Sequence, residues 1–333
     1  MTTEKKNLAK LKRIGVLTSG GDAPGMNAAV RGVVRSALYY GLEVYGIRKG
    51  YKGLINGNLE PMNSRSVSNI IHRGGTILKS ARSSEFRTKE GRAKAYETVK
   101  KFELDGLVAI GGDGTFTGAS IFYDEYNVPT VGIPGTIDND LAGTDFTIGY
   151  DTATNTAVDA IDKIRDTASS HNRLFIIEVM GRDSGFIAVR SALAAGAEAI
   201  LIPEKDTNVD GLIKILQDGK KNKKTSSLVV VAEGGAYGGA VEVARLVKER
   251  FTHYETKVVT LGHIQRGGTP TVFDRVMAGR LGVASVEGLL AGKHTTMVGL
   301  IHNKIAFTPI HEALKMDRHI DEDIWETARI LSL

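Results

Sequence analysis

The sequence predicts an α/β fold made of two doubly wound, mainly parallel sheets. Short apolar runs alternate with amphipathic helical stretches along almost all of its 333 residues. Many of the turns between them are glycine-rich, the layout of ligand sites at the carboxyl ends of parallel strands. The strand candidates number nine, more than one such sheet readily holds.

Arg13–Leu17 is the first strand, and Ser19-Gly20-Gly21-Asp22-Ala23-Pro24-Gly25-Met26-Asn27 turns it into a helix. The turn matches neither the Walker A pattern nor the dinucleotide fingerprint. It reads either as a tight turn or as a place where helix-start N–H groups meet a phosphate. In the helix Met26–Leu38, Met26, Ala29, Val30, Val33, Val34 and Ala37 form the buried stripe. Arg31 and Arg35 share the other face, as solvated cations or as an anion clamp. Glu43–Ile47 is the second strand. Leu107–Ile110 ends in Gly111-Gly112-Asp113-Gly114-Thr115, where Asp113 reads as a Mg²⁺ ligand beside a polyphosphate or as a helix N-cap. This pentapeptide also occurs in NAD kinases and diacylglycerol kinases. Thr130–Ile133 ends in Pro134-Gly135-Thr136-Ile137-Asp138-Asn139-Asp140, whose carboxylates either orient a hydroxyl or mark an acidic turn.

The second half continues the alternation: helix Thr152–Thr167, strand Leu174–Val179, helix Gly185–Ala194, strands Ala199–Ile202 and Leu228–Ala232, helix Val241–Arg250, and strands Lys257–Leu261 and Met297–Ile301. Ser169-Ser170-His171-Asn172-Arg173 and Met180-Gly181-Arg182 put arginines on both flanks of one strand, and Ser80-Ala81-Arg82 adds another. Arginine offers phosphate a fixed fork of donors. Glu233 ends a strand, placed to accept bonds from sugar hydroxyls. His263-Ile264-Gln265-Arg266-Gly267-Gly268 reads as a phosphate clamp or as a structural pair.

Composition narrows the classes. The chain is 42% hydrophobic and 24% charged, ordinary for a globular protein, and contains no cysteine. That excludes disulfides, thiolate catalysis and cysteine-ligated metal. No run suits a membrane span or a signal peptide, so a cytoplasmic enzyme is expected. The net charge is +5. The dense basic runs, Lys5-Lys6 to Lys12-Arg13 and Lys220-Lys221-Asn222-Lys223-Lys224, lack any aromatic or zinc-finger accompaniment. Phosphorylated metabolites explain the excess better than nucleic acid.

Together these motifs, in this order and at these separations, resemble the bacterial ATP-dependent 6-phosphofructokinase family from about Lys12 almost to the C-terminus. The resemblance implies two Rossmann-like three-layer lobes with the active site in the cleft between them, assembled as a cytoplasmic, glycolytic homotetramer. It places an ATP-binding lobe at 1–148 plus about 264–314 and a fructose 6-phosphate-binding lobe at about 149–263 plus 315–333. Matching position by position, Gly21, Arg82, Asp113, Gly114 and Thr115 fall on the nucleotide site, with Asp113 engaging Mg²⁺. Asp138 matches the base for the sugar's 1-hydroxyl, and Thr136 and Asp140 its close partners. Met180, Gly181, Arg182 and Glu233 match sugar contacts. Arg173, His263 and Arg266 match the grip on the 6-phosphate, with Arg173 arriving from a neighbouring subunit. Arg82 and Arg182 are the cations for the transferring phosphoryl group.

An effector site for ADP or phosphoenolpyruvate is implied at Arg31, Arg35, Arg165, Glu198 and Lys224. Pyrophosphate-dependent relatives carry aspartate at Gly114 and lysine at Gly135, so both glycines are expected to leave room for ATP. Three positions depart from the family pattern. Lys257 replaces a second intersubunit arginine, Ser64 an effector-binding arginine (with Arg65 adjacent), and Asn69 an aspartate. Weak regulation, and weaker or less cooperative sugar binding, are expected. Rival readings are a pyrophosphate-dependent or other sugar-phosphate kinase and a catalytically silent nucleotide sensor. Asp113 and Asp138 argue against the last.

Overall fold

A computed structural model describes residues 11–168 and 173–332. The Lys5-Lys6 end of the first basic run and Ser169 to Asn172 lie outside the described residues. The chain forms two units, and it passes between them several times.

The first unit comprises Met1–Thr136, Leu141–Asp151 and Arg266–Asp317. Its strands are β1 (Arg13–Thr18), β2 (Glu43–Ile47), β3 (Leu59–Met62), β4 (Gly106–Gly111), β5 (Thr130–Pro134), β10 (Thr296–Ile301) and β11 (Lys304–Pro309). They form one sheet in the order β11-β10-β5-β4-β1-β2-β3. The five inner strands are parallel, and every residue of β4 and β5 is buried, as helices on both faces require. Its helices are α1 (Met26–Tyr39), α2 (Gly50–Ile55), α3 (Lys89–Lys101), α4 (Asp113–Tyr126), α9 (Val272–Leu290) and α10 (Ile310–Ala313).

The sequence reading lacks β3 and β11. Both are antiparallel edges. β3 carries Pro61, which an edge tolerates, and β11 returns from β10 through His302-Asn303, both at positive φ as a tight hairpin requires.

The second unit comprises Ile137–Asp140, Thr152–Gln265 and Arg318–Leu333, so Asp138 and Asp140 belong with it. Strands β6 (Arg173–Val179), β7 (Ala199–Leu201), β8 (Ser227–Ala232) and β9 (Glu255–Thr260) form an all-parallel sheet in the order β7-β8-β6-β9. Most of α5 (Tyr150–Ala168), with α6 (Phe186–Ala195), α7 (Val209–Lys221), α8 (Gly239–Arg250) and α11 (Glu322–Leu331), completes it. Leu174, Ile176, Val229 and Val231 pack with Leu212, Leu216, Val243 and Val247 in its core. Each unit is an α/β layer structure on a mainly parallel sheet.

Candidate active site

In the first unit three glycine-bearing turns meet at the carboxyl edge of neighbouring strands. β1 pairs with β4, and β4 with β5. The Ser19 N–H donates to the Ile110 carbonyl at 3.0 Å, and the Gly135 N–H to the Gly111 carbonyl at 2.9 Å. A Cβ at Gly111 would strike Thr115 Oγ1 and the Ser19 carbonyl, so only glycine lets these turns close together. Thr115 is 3% exposed, and its carbonyl accepts the Tyr51 hydroxyl at 2.6 Å. Burial drives that phenol's pKa upward.

Asp113 opens α4 half-buried, behind the extended cap residue Gly112, which lends no side-chain bond. The first turn of α4 presents the positive end of its dipole, and within it the Thr115 N–H donates to the Gly112 carbonyl at 2.9 Å. Gly114 is exposed, with nothing within 4 Å of where a Cβ would be. Gly135 is different: its Cβ would lie 3.0 Å from Ile110 Cγ2 and 3.2 Å from Met26 Cε, both fully buried. A side chain at 135 would therefore start tight against the core, whatever room it would take on the nucleotide side. With these neighbours in place, the position is tight for anything but glycine.

Thr136 is buried and its carbonyl accepts the Thr147 hydroxyl at 2.6 Å. Arg266 belongs to this unit too, and its Nη1 donates to the Asp22 carbonyl at 3.2 Å. Arg82 is exposed. It follows a segment that β1 holds, where Thr18 Oγ1 donates to the Lys79 carbonyl at 3.0 Å. Asn27, 1% exposed, fixes that segment further: Nδ2 donates to the Arg73 and Gly74 carbonyls at 3.0 and 3.1 Å, and Oδ1 accepts the Ile77 N–H at 2.8 Å. The sequence reading gives Asn27 no task.

The second unit gathers another set at the carboxyl edge of its sheet. Asp138 is 1% exposed, with Oδ2 3.8 Å from Arg182 Nη2. The Arg182 N–H donates to Glu233 Oε1 at 2.9 Å, and the Glu233 N–H to the Val179 carbonyl at 3.1 Å. Met180 is buried, and its N–H reaches Gln265 Oε1 at 3.4 Å. Gly181 and Arg182 both take positive φ, 147° and 55°. His263 stands exposed in the helical turn Gly262–Arg266 that follows β9. Asp140 is half-buried beside Asn139, whose φ of 55° suits asparagine.

Other candidates sit at the opposite, amino edge of that sheet. Arg173 opens β6 and donates from Nε to Glu255 Oε2 at 3.0 Å, while Lys257 Nζ meets Glu255 Oε1 at 2.6 Å. Hydrogen bonds from Lys257 and then Arg173 hold the Glu255 carboxyl below its ordinary pKa. Arg165 donates to the Ala195 carbonyl and, at 2.8 Å, to that of Gly196, at the end of α6. The Glu198 carboxylate accepts the Leu228 N–H at 2.6 Å, and the Lys224 carbonyl accepts the Tyr254 hydroxyl at 2.8 Å. In the first unit, Arg31 is half-buried and Arg35 exposed on α1. Ser64, Arg65 and Asn69 are exposed as well.

A family model described as phosphofructokinase matches residues 13–289. The chain belongs to the phosphofructokinase family. It is 56% identical over 322 residues to the ATP-dependent 6-phosphofructokinase of Cytophaga hutchinsonii, covering 97% of this chain and 98% of that one. It is also 56% identical to the protein of that name from Halalkalibacterium halodurans, covering 97% and 100%. Among solved structures, phosphofructokinase from Saccharomyces cerevisiae superposes with a TM-score of 0.87 at 35% identity. That match covers 96% of this chain but 48% of the yeast chain, so this family member spans about half the length of the yeast one. Among the described residues no helix is long and apolar enough to cross a membrane.

Proposed function

We propose that this chain transfers the γ-phosphoryl group of ATP to the 1-hydroxyl of fructose 6-phosphate, giving fructose 1,6-bisphosphate and ADP. The observation that carries the reading is the buried Asp138 carboxylate standing 3.8 Å from Arg182, on a turn that Glu233 holds. A carboxylate can align a hydroxyl for in-line attack and accept its proton late, since phosphoryl transfer is loose. Arg182, with Arg82, supplies positive charge for the transferring group. The sugar oxygen bonds to the γ-phosphorus, the bond to the ADP oxygen breaks, and the proton passes to Asp138. Thr136 and Asp140 support the base.

Gly21, Arg82, Asp113, Gly114 and Thr115 bind the nucleotide, along the uncapped start of α4. The open space at Gly114 and the ATP-dependent relatives favour ATP over pyrophosphate. Mg²⁺ fits at Asp113. Its half-buried carboxylate at the start of α4 is a hard oxygen donor of the kind Mg²⁺ takes beside nucleotide phosphates. When bound, the ion neutralises charge on those phosphates.

Met180, Gly181, Arg182 and Glu233 hold the sugar, and His263, Arg266, Arg173 and Lys257 its 6-phosphate. Arg173 begins β6 and Met180 follows its end, about 23 Å away at strand spacing. Arg173 therefore serves a neighbouring copy, which supports a homotetramer of the kind the family resemblance implies. The enzyme acts in the cytoplasm.

ADP or phosphoenolpyruvate binds near Arg31, Arg35, Arg165, Glu198 and Lys224. The response is weak, because Arg165 and Glu198 already hold main-chain groups and Ser64 and Asn69 lack the family's charges.

A coupled assay with Mg²⁺, fructose 6-phosphate and either ATP or pyrophosphate tests the reading. Turnover with ATP that Asp138→Ala abolishes is expected. Full activity in Asp138→Ala, or preference for pyrophosphate, overturns it. A large effect of saturating ADP or phosphoenolpyruvate on sugar affinity overturns weak regulation.

A further inference from the structure

We infer that Ser184 is a positioning residue for this reaction, tying the base segment to the sugar-contacting turn through main-chain carbonyls. The inference rests on the roles proposed above for Asp138 and Arg182.

Ser184 is 7% exposed and sits two residues past Arg182, just before α6. Its hydroxyl lies 3.0 Å from the Asp138 carbonyl oxygen and 2.8 Å from that of Gly181. A serine hydroxyl has one proton, so both carbonyls share it in a three-centre bond. The Ser184 N–H adds a second bond to the Gly181 carbonyl at 2.9 Å. One buried side chain thus joins the backbone that carries the base to the backbone that carries its arginine.

The turn needs such a restraint. Arg182 has a φ of 55°, a left-handed conformation that a side-chain-bearing residue adopts only when its surroundings hold it there. A Cβ at Gly181 would stand 2.4 Å from the Ser184 carbonyl, so the turn is drawn tight against residue 184. Glu233 fixes the Arg182 N–H from one side. Ser184 fixes the preceding carbonyl from the other and adds the tether to Asp138. Losing the tether leaves Asp138 and Arg182 chemically intact while the 3.8 Å relation between their charged ends drifts. Positional error of this kind lowers kcat more than it weakens binding.

Steady-state kinetics on the full chain test this with Ser184→Ala and with the isosteric pair Ser184→Thr and Ser184→Val, which differ only in the hydroxyl. Ser184→Ala is expected to lower kcat about tenfold, with the KM for ATP moving less than about twofold. Ser184→Thr keeps kcat within about threefold of wild type while Ser184→Val falls with alanine; both carry the same added bulk, so a general packing effect cannot separate them. In an Arg182→Ala background the alanine change at 184 costs less than about twofold, since the group it positions is gone. Equal kcat in Ser184→Thr and Ser184→Val, or losses that multiply with Arg182→Ala, overturns the inference. Wild type and Asp138→Ala run in parallel separate the two readings. An inactive wild type with ATP and fructose 6-phosphate removes the proposed function, whereas an active wild type with an unaffected Ser184→Ala removes only the role of Ser184.

Discussion

Arg266 lays its guanidinium against Gly21. A Cβ at position 21 would stand 2.6 Å from Arg266 Nη1 and 3.1 Å from Cζ. Gly21 belongs to the proposed nucleotide set and Arg266 to the proposed sugar-phosphate set, so one methyl group should disturb both. Gly21→Ala is expected to raise the KM for fructose 6-phosphate about tenfold along with that for ATP. The guanidinium is the far end of a flexible chain and can swing aside, so the melting temperature should move by less than about 2 °C. If only the ATP constant changes, Arg266 does not serve the sugar phosphate.

The glycines at 114 and 135 should respond in opposite ways. Open space surrounds position 114, so Gly114→Asp should fold normally and lose kcat/KM for ATP by about tenfold or more, through crowding and repulsion of the nucleotide's phosphates. Position 135 faces Ile110 and Met26, so Gly135→Lys should cost about 1–3 kcal/mol of stability as the core yields. Thermal unfolding beside ATP titration separates them. A destabilised Gly114→Asp, or an unaltered melting point in Gly135→Lys, contradicts this division.

These cases mark what the sequence can convey. The inner strands were legible because apolar runs ending in glycine are the mark of a buried parallel sheet, and β2 has the expected bounds. β3 and β11 were not, since edge strands carry Pro61, Lys304 and half-exposed positions that weaken the pattern. Asp113, Asp138, Arg182 and Glu233 could be singled out as strand-end acids and bases. Asn27 and Ser184 act on main-chain carbonyls and N–H groups, which any residue can supply, so no pairing of side-chain types reveals them. The direction of a missing Cβ at Gly135 depends on Met26, more than a hundred positions away, and no local pattern encodes it.

Glu255 occupies two cations proposed for the sugar phosphate. Glu255→Gln should therefore lower the KM for fructose 6-phosphate, by about threefold to tenfold, as Arg173 and Lys257 are released. Because those cations hold the Glu255 carboxyl below its ordinary value, it stays ionised throughout the working range. The gain should be flat between about pH 6 and pH 9. Lys257→Arg should also tighten or sharpen sugar saturation by restoring a fork of donors. A higher KM in Glu255→Gln would mean that the carboxylate orients the cations for substrate instead of competing with it.

Arg92 and Glu125 contribute to the acid dependence of stability. Arg92 is 6% exposed and grips Glu125 with two bonds of 2.7 Å, from Nε to Oε2 and from Nη2 to Oε1. Its Nη1 also donates to the Phe86 and Arg87 carbonyls at 3.1 and 2.8 Å. Phe86 stacks on Tyr51 at 3.9 Å, and Tyr51 bonds Thr115, so the pair braces the floor beneath the proposed nucleotide turn. The Arg92 hydrogen bond lowers the Glu125 pKa from its ordinary 4.5. A carboxyl depressed on folding stabilises fully above its unfolded pKa, and that contribution is lost as pH falls through the folded value. The wild-type melting temperature should thus fall below about pH 4.5 partly through this group. Glu125→Gln should lose about 1–2 kcal/mol at pH 7, seen in thermal unfolding, and should differ progressively less from wild type as the solution is acidified. A gap between the two proteins that stays constant down to about pH 3 would place the acid sensitivity elsewhere.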